Sequence, residues 1–279
     1  MLINPINIRK TVRSIRFRWR RATRLPSLFP GTRYPFNYRI RRFLQTDFCL
    51  PSYVNTPSGA RHYLSTDPTD DRVLEEMFGP GFHFFFPKFP DFIKDQLLKG
   101  GWILDVGAYN GFWGVELLMR YPSLQAIFIE PNPAKCENIN KTITGSAVVS
   151  KARVVMAALA EFNGLAWLMK SEDGSWGDFL SHTAPAEQAS SFKVFTTTLS
   201  KALNGVEPIV VKCNAEGGEF ELVRQLLALE IRPKYLILMI HPEHGDADGL
   251  RQSLSNSGYT INVVKENSRR PIWHAYRIP

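Results

Sequence analysis

No acidic residue precedes Asp47, although the chain of 279 residues carries 26 of them. The same first 46 residues hold twelve Lys and Arg, from Arg9 to Arg42, so the overall net charge of +8 misdescribes the molecule. The other 22 basic and 26 acidic residues leave the rest of the chain at −4. The basicity belongs to an arm. Cysteine is also scarce. Cys49, Cys136 and Cys213 are far apart and form no C-x-x-C pair, which argues against a disulfide framework or a zinc knuckle and leaves buried thiols as the expectation. No run approaches the roughly 18 apolar residues of a membrane span, and the N-terminus lacks the apolar core of a secretory signal. A soluble globular protein inside a cell is expected, with no internal repeat.

Within the arm, Ile8, Val12, Ile15 and Trp19 recur at helical spacing, with Arg9, Arg13, Arg16 and Arg20 one step behind. Such a basic amphipathic pattern suits an anionic membrane surface or the phosphates of RNA, and it also resembles an organellar leader. The expected location is therefore cytoplasmic and peripheral at a membrane, with a mitochondrial location as the alternative. Three regions are expected: the arm over 1–46, a lead-in segment over 47–90 packed on the core, and one domain over 91–279.

In the lead-in, residues 71–78 read as a short helix and His83–Pro87 as a short strand. From Asp91 the pattern alternates: helix 91–99, strand 102–106, helix 112–121, strand 125–130, helix 133–142, then a strand near 153–156. Further strands are expected at 165–169, 193–197, 209–213, 235–240, 259–264 and 273–277, with helices at 219–228 and 247–257. Strands apolar on both faces and separated by helices call for an α/β fold, a doubly wound and mostly parallel sheet covered on both sides.

Ligands of such sheets bind beyond the carboxyl ends of the strands, beside the first strand. That position reads Asp105-Val106-Gly107-Ala108-Tyr109-Asn110-Gly111, an apolar strand breaking into a glycine-spaced turn that opens a helix. The next strand ends in Glu130-Pro131-Asn132, about 20 residues on, where a carboxylate can accept two ribose hydroxyls. A dinucleotide pyrophosphate would need a third glycine at the position of Tyr109. S-adenosylmethionine brings no phosphate, and its cationic sulfonium and ammonium suit a carboxylate such as Asp105. S-adenosylmethionine is the expected cofactor, bound by Asp105, Gly107, Ala108, Tyr109, Asn110, Gly111, Glu130, Pro131, Asn132 and Ala158.

These motifs, together with Ala158 followed by Asn163-Gly164 and with Lys212-Cys213-Asn214-Ala215-Glu216-Gly217-Gly218-Glu219, make the chain similar to the FkbM-type methyltransferases. The last stretch is the most specific, since the family reads K-x-D-x-E-G-x-E there. The resemblance covers about residues 65–265. It implies the seven-stranded class I methyltransferase fold and O-methylation of a hydroxyl, often on a sugar or secondary metabolite. Three positions depart from the family pattern: Asn214 stands for its acid, Ser200 follows Thr198-Leu199 where an acid is usual, and Met239 precedes His241 by two. An asparagine can orient a hydroxyl but cannot take its proton.

Candidates for catalysis are Glu216, Glu219 and His241 as bases, with Lys212 and Asn214 beside them. The run from His241 to Asp246 fits no zinc signature, so no metal is expected. Two functions stay open. One is an O-methyltransferase acting on a small molecule, a glycan or a lipid-linked sugar. The other is a catalytically weak methyltransferase-like subunit docked by its arm onto RNA in a large assembly.

Overall fold

A computed structural model describes residues 52–67, 69–78, 85–170, 178–181, 183, 191–264 and 269–278. The basic arm and Cys49 lie outside the described residues, as do His83 and Phe84 of the strand expected at 83–87. Phe85 and Phe86, the described start of its second half, are not in a strand.

The chain enters through a hairpin, β1 (Ser52–Asn55) and β2 (Arg61–Leu64), followed by α1 (Thr69–Phe78) and α2 (Asp91–Lys99). Then come β3 (Gly101–Val106), α3 (Phe112–Arg120), β4 (Leu124–Ile129), α4 (Pro133–Gly145) and β5 (Ala152–Val155). Next are β6 (Ala158–Leu159), β7 (Gly164–Met169), β8 (Phe179–Ser181), β9 (Ser191–Thr197) and α5 (Leu199–Leu203). The last third comprises β10 (Pro208–Cys213), α6 (Gly218–Ala228), β11 (Tyr235–Met239), α7 (Ala247–Asn256), β12 (Thr260–Val263) and β13 (Ile272–Tyr276).

Seven strands form the central sheet in the order β12-β13-β11-β10-β3-β4-β5. The run from β11 to β5 is parallel, and β13 pairs antiparallel with both β11 and β12. The strand patterns follow from this placement. Along β4, Ala126 and Phe128 pack into one apolar layer while Ile127 and Ile129 pack into the other, and β11 alternates in the same way through Ile237 and Leu238. A strand with a helical layer on each side is covered on both faces, so these strands are apolar on both and show no alternating polar face. One layer holds residues of α1 to α4, the other residues of α5 to α7.

Three features were not anticipated. β7 and β9 stay outside the central sheet and join β6 and β8 in a separate four-stranded sheet, order β6-β9-β7-β8. The β1–β2 hairpin and the short α5 were also not expected; α5 is capped by the Thr198 side chain, which accepts from the Lys201 N–H. Among the described residues, no helix is long and apolar enough to cross a membrane.

Candidate functional site

β3, β4 and β10 end side by side, and their following loops surround a cleft of about 470 Å³. The reversal of connection direction between β3 and β10 leaves a crevice there, because the chain leaves these two strands toward opposite faces. α1 forms part of the wall through Val73, Glu76 and Met77, and the separate four-stranded sheet forms another through Ala158, Leu168, Phe179 and Leu180.

The glycine turn is built for close approach. Gly107 has φ +65, and a Cβ there would collide with the carbonyl of Asn214 at the end of β10. The Gly107 and Ala108 N–H groups both donate to the Ile129 carbonyl, at 3.0 and 3.2 Å. Tyr109 follows in the left-handed region at φ +55, unusual for a side chain of that size. Its N–H donates to Glu130 Oε2 at 2.8 Å, and the Asn132 N–H donates to Glu130 Oε1 at 2.9 Å. Burial pushes the Glu130 carboxyl up to about 7, against the pull of those two N–H groups and of Lys135 and Lys212. Asn132 also caps α4, its side chain accepting from the Ala134 N–H at 3.0 Å.

Of the ten expected cofactor residues, Gly107, Tyr109, Glu130, Pro131, Asn132 and Ala158 line the cleft. Four do not. Asp105 is fully buried beneath it, its Oδ1 2.9 Å from Lys212 Nζ and its Oδ2 accepting from the Gly114 N–H. Its charge is thus matched inside the protein rather than by a sulfonium, and burial still raises its pKa against the pull of Lys212. Ala108 is buried behind the turn. Asn110 is buried too, accepting from Asn138 Nδ2 at 3.1 Å. Gly111, at φ +75, starts α3 and faces Ile139, so its role is to turn the chain.

The catalytic candidates also divide. Lys212, Asn214 and Glu216 line the cleft, whereas Glu219 and His241 do not. Lys212 Nζ donates to the Gly107 carbonyl at 2.8 Å, tying β10 to the turn. Asn214 Oδ1 is buried with no hydrogen-bond partner among the described residues. Glu219 Oε1 accepts from the His241 backbone N–H at 2.7 Å and contacts its Nδ1 at 3.0 Å, while Oε2 accepts from the Gly217 N–H. His241 Nε2 lies 3.2 Å from Glu216 Oε1. Burial would depress this imidazole, but hydrogen bonds to Glu216 and Glu219 outweigh it and lift its pKa to about 9. His241 and Glu219 thus pair with each other away from the cleft wall, and the two carboxylates beside His241 favour its charged form. Arg270 grips Glu216 with two 3.0 Å contacts, one to each oxygen.

Several cleft residues were missed: Glu76, Glu161, Asp178, Phe179, Glu221 and His244. His244 stacks on Phe179, with centroids 5.9 Å apart and planes at 29°. A signal existed for α1, since Val73, Glu76 and Met77 share one helical face, three and four residues apart. Phe179 and Asp178 gave none, because their sheet pairs only through non-local contacts.

A cleft at the ends of β3, β4 and β10, a glycine cradle without room for a Cβ and a carboxylate at the end of β4 define a class I methyltransferase-type nucleoside site, and the donors present fit S-adenosylmethionine. The chain belongs to the family described as the methyltransferase FkbM domain, whose model matches residues 105–261, more than half its length. It is therefore a methyltransferase, and its methyl donor is S-adenosylmethionine. None of the curated proteins matches the chain. Among solved structures it is similar to a precorrin-6y C5,15-methyltransferase of Geobacter metallireducens GS-15, at 15% identity over 69% of this chain and 90% of that one, TM-score 0.38. It is similar also to Sp1610 of Streptococcus pneumoniae in complex with S-adenosyl-L-methionine, at 16% identity over 68% and 72%, TM-score 0.39. A third is an O-methyltransferase family protein of Burkholderia thailandensis, at 10% identity over 75% and 60%, TM-score 0.39.

Proposed function

We propose that this methyltransferase acts on a hydroxyl of an uncharged acceptor: a glycan, a lipid-linked sugar or a secondary metabolite. One observation carries the reading. Among the described residues the cleft wall bears six carboxyl groups, of Glu76, Glu130, Glu161, Asp178, Glu216 and Glu221, and one lysine, Lys212; Arg270 holds Glu216, Arg224 holds Glu221 and Asp105 holds Lys212, which leaves carboxyl groups in excess on the wall. A phosphate-bearing acceptor entering such a cleft would be repelled by several carboxylates at short range. A polyol instead finds acceptors for its hydroxyl hydrogens.

S-adenosylmethionine supplies an electrophilic methyl group, and the protein's part is to align the hydroxyl oxygen and remove its proton. The unpartnered Asn214 Oδ1 can accept the hydroxyl's hydrogen bond and orient it. The proton then goes to His244 on the wall, since Arg270 and His241 already hold the Glu216 carboxylate. Residues 1–46 hold the enzyme on an anionic membrane surface in this reading, with RNA as the competing surface.

The test is a labelled-methyl screen with glycans, small alcohols and RNA as acceptors. Transfer to a neutral hydroxyl compound that is lost in a folded His244→Gln variant supports the reading. Transfer to RNA alone, or cofactor binding without transfer to any class, overturns it.

A further inference from the structure

Behind the cleft wall, a cluster of titratable side chains joins the lead-in helix to the glycine turn. Lys135 Nζ, on α4, lies 2.6 Å from Asp70 Oδ1, 3.1 Å from Asp67 Oδ2 and 2.9 Å from the Tyr109 hydroxyl. The Tyr109 hydroxyl donates to Asp70 Oδ1 at 2.9 Å, and the ammonium sits 4.0 Å from the centre of the Tyr109 ring. Asp70 is fully buried, and its second oxygen accepts from the Ser65 N–H and hydroxyl. Asp70, at the start of α1, and Lys135, on α4, thus converge on one side chain of the cofactor turn, with Asp67 as a second partner of Lys135.

That side chain belongs to the residue whose backbone is strained. Tyr109 has φ +55, and a side chain of this size holds such a conformation only where its surroundings over-determine it. The strained backbone aims its N–H at Glu130. We propose that the Asp70–Lys135–Tyr109 cluster is a positioning device for cofactor binding: it pins the Tyr109 amide on Glu130 and so holds the ribose-binding carboxyl in place, which makes the lead-in helix part of the cofactor site. This rests on S-adenosylmethionine binding at Glu130. The charges that bear on that carboxyl are Lys135 from α4 and Lys212 from β10; Lys135 is paired with Asp67 and Asp70 of the α1 region and Lys212 with Asp105 of β3, and Glu76 of α1 lines the same cleft. Removing the Lys135 charge, or releasing the Tyr109 amide, therefore disfavours the ionised form.

Calorimetric titration of the full chain with S-adenosylmethionine from pH 5.5 to 8 tests this, using Tyr109→Phe, Lys135→Met and Lys135→Arg. In the wild type the affinity falls as pH drops below about 7. Tyr109→Phe and Lys135→Met move that fall to higher pH and weaken binding at pH 7 roughly 3- to 10-fold, while Lys135→Arg restores the wild-type profile. Tyr109→Phe deletes one oxygen and keeps the ring, so it reports even where Lys135→Met does not fold. A dissociation constant and pH profile in folded Tyr109→Phe within twofold of wild type would overturn the proposal, leaving the cluster a fold contact alone. Failure of the wild type to bind S-adenosylmethionine at any pH would overturn the cofactor reading beneath it, a separate outcome read from the wild type.

Discussion

Glu130→Gln separates two opposing effects of one buried carboxyl. Burial holds its pKa at about 7, against 4.5 for an exposed glutamate. Between those values the folded protein without cofactor keeps a proton that the unfolded chain has released. Its stability therefore falls as pH rises from about 4.5 to about 7 and then levels off. A shift of this size corresponds to about 3 kcal/mol. Cofactor binding runs the other way, because the charged acceptor of the ribose hydroxyls is present only as pH rises toward and above 7. Glutamine is neutral throughout, so the variant loses both slopes. It keeps one acceptor oxygen for the N–H of Tyr109 or Asn132 and turns an NH₂ toward the other, which costs about 1–2 kcal/mol and offsets part of the stability gained above pH 7. Binding weakens by about 1–3 kcal/mol, roughly 5- to 150-fold in dissociation constant, as the charged hydrogen bonds are lost. The assay is calorimetric titration at pH 5.5, 6.5 and 7.5 with parallel thermal melts. The variant, titrated at the same pH values, corrects for protonation of the ligand itself. A folded Glu130→Gln protein with wild-type affinity and a wild-type pH slope would refute the reasoning, as would a wild-type dissociation constant flat from pH 5.5 to 7.5.

Other expectations are independent. Gly107→Val should cost the fold more than about 2 kcal/mol, since its Cβ meets backbone at Asn214 and its φ is +65; a thermal midpoint equal to wild type would contradict this. His241, with its pKa raised from 6.5 to about 9, contributes stability that is fully present below about pH 6.5 and fades as pH rises through 9. Melting His241→Gln across that window should remove this component of the pH dependence, and an unchanged slope would sink the idea of a buried imidazolium. Cys136, whose thiol burial pushes up to about 12, and Cys213, fully buried and also raised by burial, should stay unmodified by thiol reagents until unfolding; rapid labelling of either in the native protein, seen by peptide mapping, would count against these placements. Deleting residues 1–46 should leave S-adenosylmethionine affinity unchanged and abolish binding to anionic vesicles. Replacing Ile8, Val12, Ile15 and Trp19 by serine should do the same to vesicle binding while sparing most RNA binding, because only the membrane needs buried apolar area. Vesicle binding that survives those replacements would turn the reading toward RNA.

The central sheet was legible in the sequence because each parallel strand is apolar at consecutive positions and ends in turn residues, a local pattern that needs no knowledge of partners. β3 and α2 were placed to within a residue for that reason. The cofactor end was legible too. A glycine turn after the first strand and an acid at the end of the second are local motifs whose juxtaposition follows once the strands are parallel neighbours. What only the tertiary structure decided is which charges face the cleft. Asp105 and Lys212 are 107 positions apart and meet because β3 and β10 are adjacent in register, and that pairing withdraws Asp105 from any ligand. His241 and His244 are three residues apart and chemically alike, yet the first points into the sheet between Glu216 and Glu219 while the second reaches the cleft beside Phe179. Nor does periodicity show that Asp70, Lys135 and Tyr109 converge, or that β7 and β9 leave the main sheet for a second one whose β6, β7 and β8 wall the cleft. Local pattern reports whether a residue is covered. Which partner covers it depends on contacts between distant segments, and for a buried charge the partner determines whether the group is structural or chemical.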